Sequence, residues 1–289
     1  MEYALLQAVF IPLLLSPVAY IIGRKSGPNA ATWFTFGVLL YCTILVILAS
    51  LEGTYEEHYA WTSLFGEFGF LLDGLASPFA IIIYVLCTIL ALYSKPYMVN
   101  HFKHQYEEIQ HQVTSGTGQT SVLPAASLDE YINKQSGLYF ALFLAFSMGM
   151  LGTVLATNLI EFYIFFEVML IPGFFLVALW GDGPRRKIGL MFLFWTHAGA
   201  VVLLLGFLMI GLTIGSFDFA DIRESEIPQD IVMLSAVAIA IGLGVKLAVF
   251  MFHIWLPYVH GSAPTPISAL LSPAMIGIGA YGIFRLIVE

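Results

Sequence analysis

Two charged residues stand where charge is costly. Glu167 interrupts Phe162-Tyr-Ile-Phe-Phe-Glu-Val-Met-Leu-Ile171, a stretch in which every other side chain is apolar or aromatic. Lys246 does the same in Ala240-Ile-Gly-Leu-Gly-Val-Lys-Leu-Ala-Val249. An ionisable group at the centre of a membrane helix costs about 3 kcal/mol or more unless it is paired or hydrated, and ion or proton movement is the commonest reason to keep one there. A buried Glu–Lys pair can exchange a proton, or part when another charge arrives. It can also be a static salt bridge that fixes helix packing. The flanking residues favour transport. Gly242 and Gly244 just precede Lys246 and Pro257 follows it, which predicts a helix broken where backbone carbonyls can face water. His253 and His260 carry the polar line beyond the lysine, and imidazole is suited to relaying protons near neutral pH.

Other polar residues leave two readings open. His197 either hydrogen-bonds a neighbouring helix or joins the relay. Glu161 is either an anchor at the outer interface or a point of proton access. Arg285, close to the outer end of its segment, is expected to snorkel. Cys42 and Cys87 lie inside apolar runs with no CxxC or histidine companion, so neither a metal site nor a disulfide is expected. No phosphate-binding glycine loop, nucleophile elbow or haem-ligand histidine pair occurs. The chain is therefore expected to carry no cofactor, and redox or hydrolytic chemistry has no seat in it.

The elements that must hold these residues are membrane helices. Of 289 residues, 59% are hydrophobic and only 10% charged, against about 25% charged in a typical soluble domain. Mean hydropathy is +0.88. Disordered, disulfide-scaffold and nucleic-acid-binding classes are excluded. Eight apolar segments can be marked, at 3–23, 31–51, 76–96, 137–156, 159–180, 188–212, 230–254 and 265–288. The first has Glu2 in place of a basic flank and no small-residue cleavage site, so it is expected to be retained.

The connections alternate in charge. Arg24 and Lys25 mark the first turn, Lys103 and Lys134 the long loop at 97–135 with Lys95 at its edge, and Arg185, Arg186 and Lys187 the loop at 182–187. The 52–75 loop carries Glu52, Glu56, Glu57, Glu67 and Asp73, and the 213–229 loop Asp218, Asp221, Glu224 and Glu226. Eight of the eleven Lys and Arg then fall on one side, which places both termini outside a cell (plasma) membrane. The middle of the 97–135 loop, Thr114-Ser-Gly-Thr-Gly-Gln-Thr-Ser121, reads as flexible. His101, His104 and His111 in the same loop read as solvated side chains rather than metal ligands.

The charged motifs carry a family likeness. Asn158-Leu-Ile-Glu-Phe-Tyr-Ile-Phe-Phe-Glu-Val-Met-Leu-Ile-Pro172, with Trp180-Gly181 after it, resembles the fifth helix of the antiporter-like subunits of respiratory complex I, and most of all the M-type subunit. Gly244-Val-Lys-Leu-Ala-Val-Phe-Met-Phe-His-Ile-Trp-Leu-Pro257, then His260 and Ala263-Pro-Thr-Pro-Ile-Ser-Ala-Leu-Leu271, is similar to the seventh and eighth helices. The same pattern occurs in membrane-bound hydrogenases and multisubunit Na⁺/H⁺ antiporters, and the likeness runs over residues 70–288.

The resemblance implies an all-α polytopic membrane protein of about eight transmembrane helices. Three would lie in 1–96, a cytoplasmic loop in 97–135, and a five-helix antiporter-like repeat with a broken seventh helix in 136–289. It implies that Glu167 and Lys246 are the ion-translocating pair. His253, His260, His197 and Glu161 would serve as relay groups, and Gly242, Gly244 and Pro257 would mark the break. It further implies a non-redox subunit of a redox-driven pump for H⁺ or Na⁺, beside other antiporter-like and small membrane subunits and a peripheral arm carrying Fe–S clusters. Two departures stand out. Alignment on Gly279-Ala-Tyr-Gly282 puts Gly277 where many M-type relatives carry a lysine, and the second, inverted repeat of the family is absent. Either another chain supplies that half or the protein is a non-conducting spacer. A free-standing transporter fits the sequence least.

Overall fold

The computed structural model describes residues 3–62, 65–114 and 127–288 of the protein. The stretch read as flexible, 114–121, falls almost wholly outside them. Among the described residues, seven helices are long and apolar enough to cross a membrane. The first, α1 (Ala4–Leu51), is two crossings joined by a reversal. Gly27 leaves helical geometry at φ 84° and ψ −179°, a conformation that glycine adopts without a Cβ clash, and Pro28 keeps it extended. The chain folds back there so completely that the Tyr41 hydroxyl donates to Gln7 Oε1 at 2.8 Å. The eight expected crossings are thus present.

The remaining spans are α2 (Ala76–Thr114), α3 (Leu128–Leu155), the paired α4 (Leu159–Val168) and α5 (Leu170–Trp180), α6 (Arg185–Ile214), a short surface helix α7 (Phe219–Glu224) and α8 (Gln229–Leu247). After α8 come α9 (Trp255–Ser262) and a last span built of α10 (Thr265–Leu270), a wide π-helical turn, α11 (Ile276–Ile283) and a second π turn. α3 is the hub: 83% of its most apolar stretch is buried, against 56% or less in every other span. α2 runs well past its apolar part, so nearly the first half of the 97–135 loop is helical rather than irregular. Within it His101 lies 3.1 Å from Gln105 and His104 lies 3.8 Å from Glu107.

The acidic 52–75 connection is also ordered. It forms an antiparallel hairpin of β1 (Tyr55–Thr62) and β2 (Gly66–Leu72), with an irregularity in register between Ala60 and Thr62. Its aromatic side chains hold it down: Phe68 and Phe70 pack against Phe10 of α1 and Phe165 of α4, each at a centroid distance of 6.2 Å. Glu57 turns inward and accepts from the Leu5 and Leu6 amides at 2.9 Å each, which satisfies free donors at the N-terminus of α1.

Arg285 does not snorkel. Its side chain is 1% exposed and meets the Asp73 carboxylate through two nitrogens at 2.8 and 2.7 Å. Two parallel N–H···O bonds, with Tyr281 accepting from Nε at 3.0 Å, stabilise the guanidinium better than headgroup water could. Asp73 also caps α2 through Ala76 N at 2.8 Å. Burial acts to raise the Asp73 carboxyl, but Arg285 and the Ala76 amide outweigh it and hold it below its ordinary value. These contacts gather the N-terminus, the hairpin, Asp218 and the end of the last span at one pole, where the acidic connections lie. The basic connections lie at the other.

Candidate functional site

Glu167 occupies the last turn of α4, where the span is locally loosened. Pro172 has no amide to give Val168, and the chain passes through Met169 into α5 with a slight irregularity. One carboxylate oxygen, Oε2, is hydrogen-bonded to His197 Nδ1 of α6 at 2.6 Å. The other, Oε1, is buried and has no partner.

Lys246 lies in the last turn of α8, an end at which helix carbonyls favour a cation. It is 1% exposed, and its Nζ makes no hydrogen bond. The ammonium instead sits over the Phe166 ring, 4.6 Å from the centroid. Among the described residues no ion pair joins Lys246 to Glu167, although Glu167 is close enough for its charge to act on the lysine. The expected direct pair is therefore parted: the carboxylate is held by a histidine and the ammonium by an aromatic face.

The broken helix is present, but not where the glycines placed it. Gly242 and Gly244 are inside regular α8. A Cβ at Gly242 would come within 2.6 Å of the Leu203 Cβ and 2.7 Å of the Gly199 carbonyl, so this glycine serves close packing on α6. Pro257 is the third residue of α9, where a missing amide costs nothing. The chain leaves the helix at Ala248 (φ 55°) and turns through Met251 (φ 79°). Freed carbonyls are taken up locally: Val249 N donates to Gly244 O at 3.0 Å and Trp255 Nε1 to Val245 O at 3.0 Å.

Past the break, His253 stacks on Phe250 with centroids 5.8 Å apart, and its Nδ1 is buried without a partner. His260 is hydrogen-bonded to Ser268 of α10 at 2.7 Å. Glu161 stands apart from this line. It is fully buried rather than at an interface, lying behind the hairpin with Oε2 accepting from Gly69 and Thr157 amides at 3.3 Å each. Its Oε1 has no partner. Thr157 also lines a 370 Å³ cleft with Glu56, His58, Glu67 and Asp218 at the acidic pole. A Cβ at Gly277 would meet nothing within 4 Å, so the place of the relatives' lysine is open space.

Glu167, His197 and Lys246 thus form one cluster, His253 and His260 continue beyond the break, and Glu161 is a separate element toward the acidic pole. Phe166, Ser268 and the Asp73–Arg285 pair were missed from sequence. Phe166 is one of 24 phenylalanines, and nothing but its place beside Glu167 marks it.

Comparison with known proteins agrees with this arrangement. Residues 156–289 match the family described as NADH:quinone oxidoreductase/Mrp antiporter, transmembrane. The NAD(P)H-quinone oxidoreductase chain 4 2 of Microcystis aeruginosa is 27% identical over 291 residues, covering 96% of this chain and 46% of its own length. Chain 4 3 of Picosynechococcus sp. is 33% identical over 161 residues, 55% of this chain and 29% of that relative. The chain spans about half or less of the length of these curated relatives. Among solved structures, the Mrp complex from Dietzia sp. superimposes with a TM-score of 0.75 at 24% identity, covering 97% of this chain and 28% of that one. The archaeal membrane-bound sulfane sulfur reductase gives a TM-score of 0.74 at 19% identity, covering 96% and 51%; both show likeness of fold. Residues 156–289 thus match the NADH:quinone oxidoreductase/Mrp antiporter transmembrane family, and over nearly its whole length the chain is similar to chain 4 of NAD(P)H-quinone oxidoreductases and resembles the Mrp complex in fold.

Proposed function

We propose that this protein is an ion-translocating subunit, moving H⁺ or Na⁺ through a half-channel centred on Glu167 and Lys246. The observation that carries the reading is that Lys246 is buried and Glu167 half-buried, and neither is neutralised by the other: Glu167 Oε1 and Lys246 Nζ are buried atoms with no hydrogen-bond partner. A salt bridge kept only for packing would be closed, because an unpartnered buried charge is strongly destabilising. A parted pair is instead poised to respond to a third charge. When one arrives, the balance between Lys246 on Phe166 and Lys246 on Glu167 changes, and a proton passes between the carboxyl, His197 and water. Beyond the break, His253 and His260 continue the path toward the basic pole.

The partner follows from the same geometry. The His197 side chain is 52% exposed on a span flanked by exposed Phe194, Val201 and Leu205. Lipid cannot hydrogen-bond an imidazole, so protein or protein-bound water must cover it. The α6 face therefore receives further membrane helices, in a multisubunit assembly with other membrane subunits and a peripheral redox arm carrying Fe–S clusters. Alternating loop charge supports a plasma-membrane orientation with the acidic pole outside. The open space at Gly277 favours a second reading, a spacer that does not conduct.

Glu167→Gln and Lys246→Ala separate these readings. In membrane vesicles carrying the native complex, each should leave subunit composition intact while ion uptake at an imposed potential falls at least tenfold. Unchanged uptake in both would move the spacer ahead. Loss of assembly in both would make the pair a packing element.

A further inference from the structure

Lys246 has three N–H donors to satisfy, and in this structure it satisfies none of them with oxygen. What it has is the face of Phe166, 4.6 Å from Nζ to ring centroid, inside the range of about 6 Å over which an aromatic quadrupole attracts a cation. The ring is not free to move away. Phe166 is 1% exposed and stacks on Phe162 at 5.9 Å and 21°, and Phe162 is braced edge-on by Phe207 at 6.0 Å and 80°. Phe166 and Glu167 are consecutive on α4, so the ring and the carboxylate offer the lysine two seats side by side. Glu167 is the charged group that acts on Lys246, and Glu167 is itself engaged by His197.

We propose that the Phe166 ring is a second binding seat for the Lys246 ammonium, a cation–π site that holds the lysine charged while it is parted from Glu167. The inference rests on the translocating role given to Glu167 and Lys246 above. On this account Phe166 is a positioning residue. It neither gains nor loses a proton, and it sets how readily the lysine stays an ammonium in the parted state. A desolvated cation–π contact is of the right size to matter. Weakening it moves the alkaline limb of the transport curve by about one pH unit.

The test replaces Phe166 with phenylalanine carrying one, two and three ring fluorines. The substitutions drain the quadrupole with little change of shape, so folding is preserved. Ion uptake at an imposed potential is measured across pH in vesicles holding the native complex, with Phe166→Trp and Phe166→Leu alongside. The expected result is a stepwise shift of the alkaline limb to lower pH with each fluorine. Phe166→Trp should keep the wild-type profile and Phe166→Leu should show the full shift. A flat response across the fluorine series, with Glu167→Gln and Lys246→Ala still inactive, overturns the cation–π seat and leaves the translocating pair standing. Wild-type uptake in Glu167→Gln and Lys246→Ala overturns the pair itself.

Discussion

The contact between Glu167 and His197 makes the most exposed prediction, because it decides which of two partners the carboxylate keeps. Substituting His197 by alanine removes a 2.6 Å hydrogen bond between ionisable groups. Such bonds are worth about 1.5–3 kcal/mol when one partner is charged. Here the histidine side chain is 52% exposed and the glutamate 21%; protein-bound water covering that face screens the contact, so about 1.5 kcal/mol is the appropriate figure. At about 1.4 kcal/mol per factor of ten, the balance tilts roughly tenfold toward Glu167 engaging Lys246. A closed pair no longer relays, so ion uptake should fall about tenfold at neutral pH, with the complex still assembled. His197→Gln keeps an N–H able to reach the carboxylate and should retain most of the rate. The assay is ion uptake at an imposed potential, with subunit composition checked by mass. Full uptake in His197→Ala would refute the argument, since the carboxylate would then be indifferent to its nearest partner.

Two other perturbations bear on the acidic pole. Asp73→Asn removes the carboxylate that Arg285, whose side chain is 1% exposed, meets through two nitrogens, and should cost about 3 kcal/mol, read as a fall in thermal midpoint of the purified protein in detergent. Because the folded Asp73 carboxyl lies below its ordinary value, its stabilisation is full above the unfolded value of about 4 and fades as pH falls through the folded one. The wild-type midpoint should drop in that acid range, and Asp73→Asn should flatten the drop. Glu161→Gln can still accept the Gly69 and Thr157 amides, so assembly should persist and uptake should fall less than in Glu167→Gln. An equal fall would join Glu161 to the central path.

The residues that do chemistry were legible as types and not as partners. A charge among apolar residues stands out because water-to-membrane transfer is costly, and Glu167 and Lys246 both declared themselves that way. Which group each would meet depends on helix rotation and rotamer, which a linear pattern does not carry, so His197, already a candidate, was seen to be the partner of Glu167, and Phe166 that of Lys246, only from packing. The break falls inside the Gly242–Pro257 interval but not at its glycines, for a related reason. Glycine signals either backbone freedom or close approach, and Gly242 is used for the second. The turn went to Ala248 and Met251, residues that advertise no left-handed preference. The hairpin was masked by its acids: Glu56, Glu57 and Glu67 made the 52–75 segment read as solvated, while the aromatics between them built a strand pair that plugs onto α1 and α4. Arg285 lay near enough to a span end to look solvated, and its carboxylate was 212 positions away.

That separation has a consequence for how the protein is made. Asp73 is inserted early, Arg285 late, and the spans from α3 onward must be threaded between them. Throughout that interval the carboxylate waits at the outer pole with only water and the α2 amides for company. The hairpin already holds the start of α1 through Glu57, so the arrival of Arg285 ties the last span to the loop that anchors the first. The two ends of the described bundle are in effect laced at one knot, drawn only when Arg285 reaches its carboxylate.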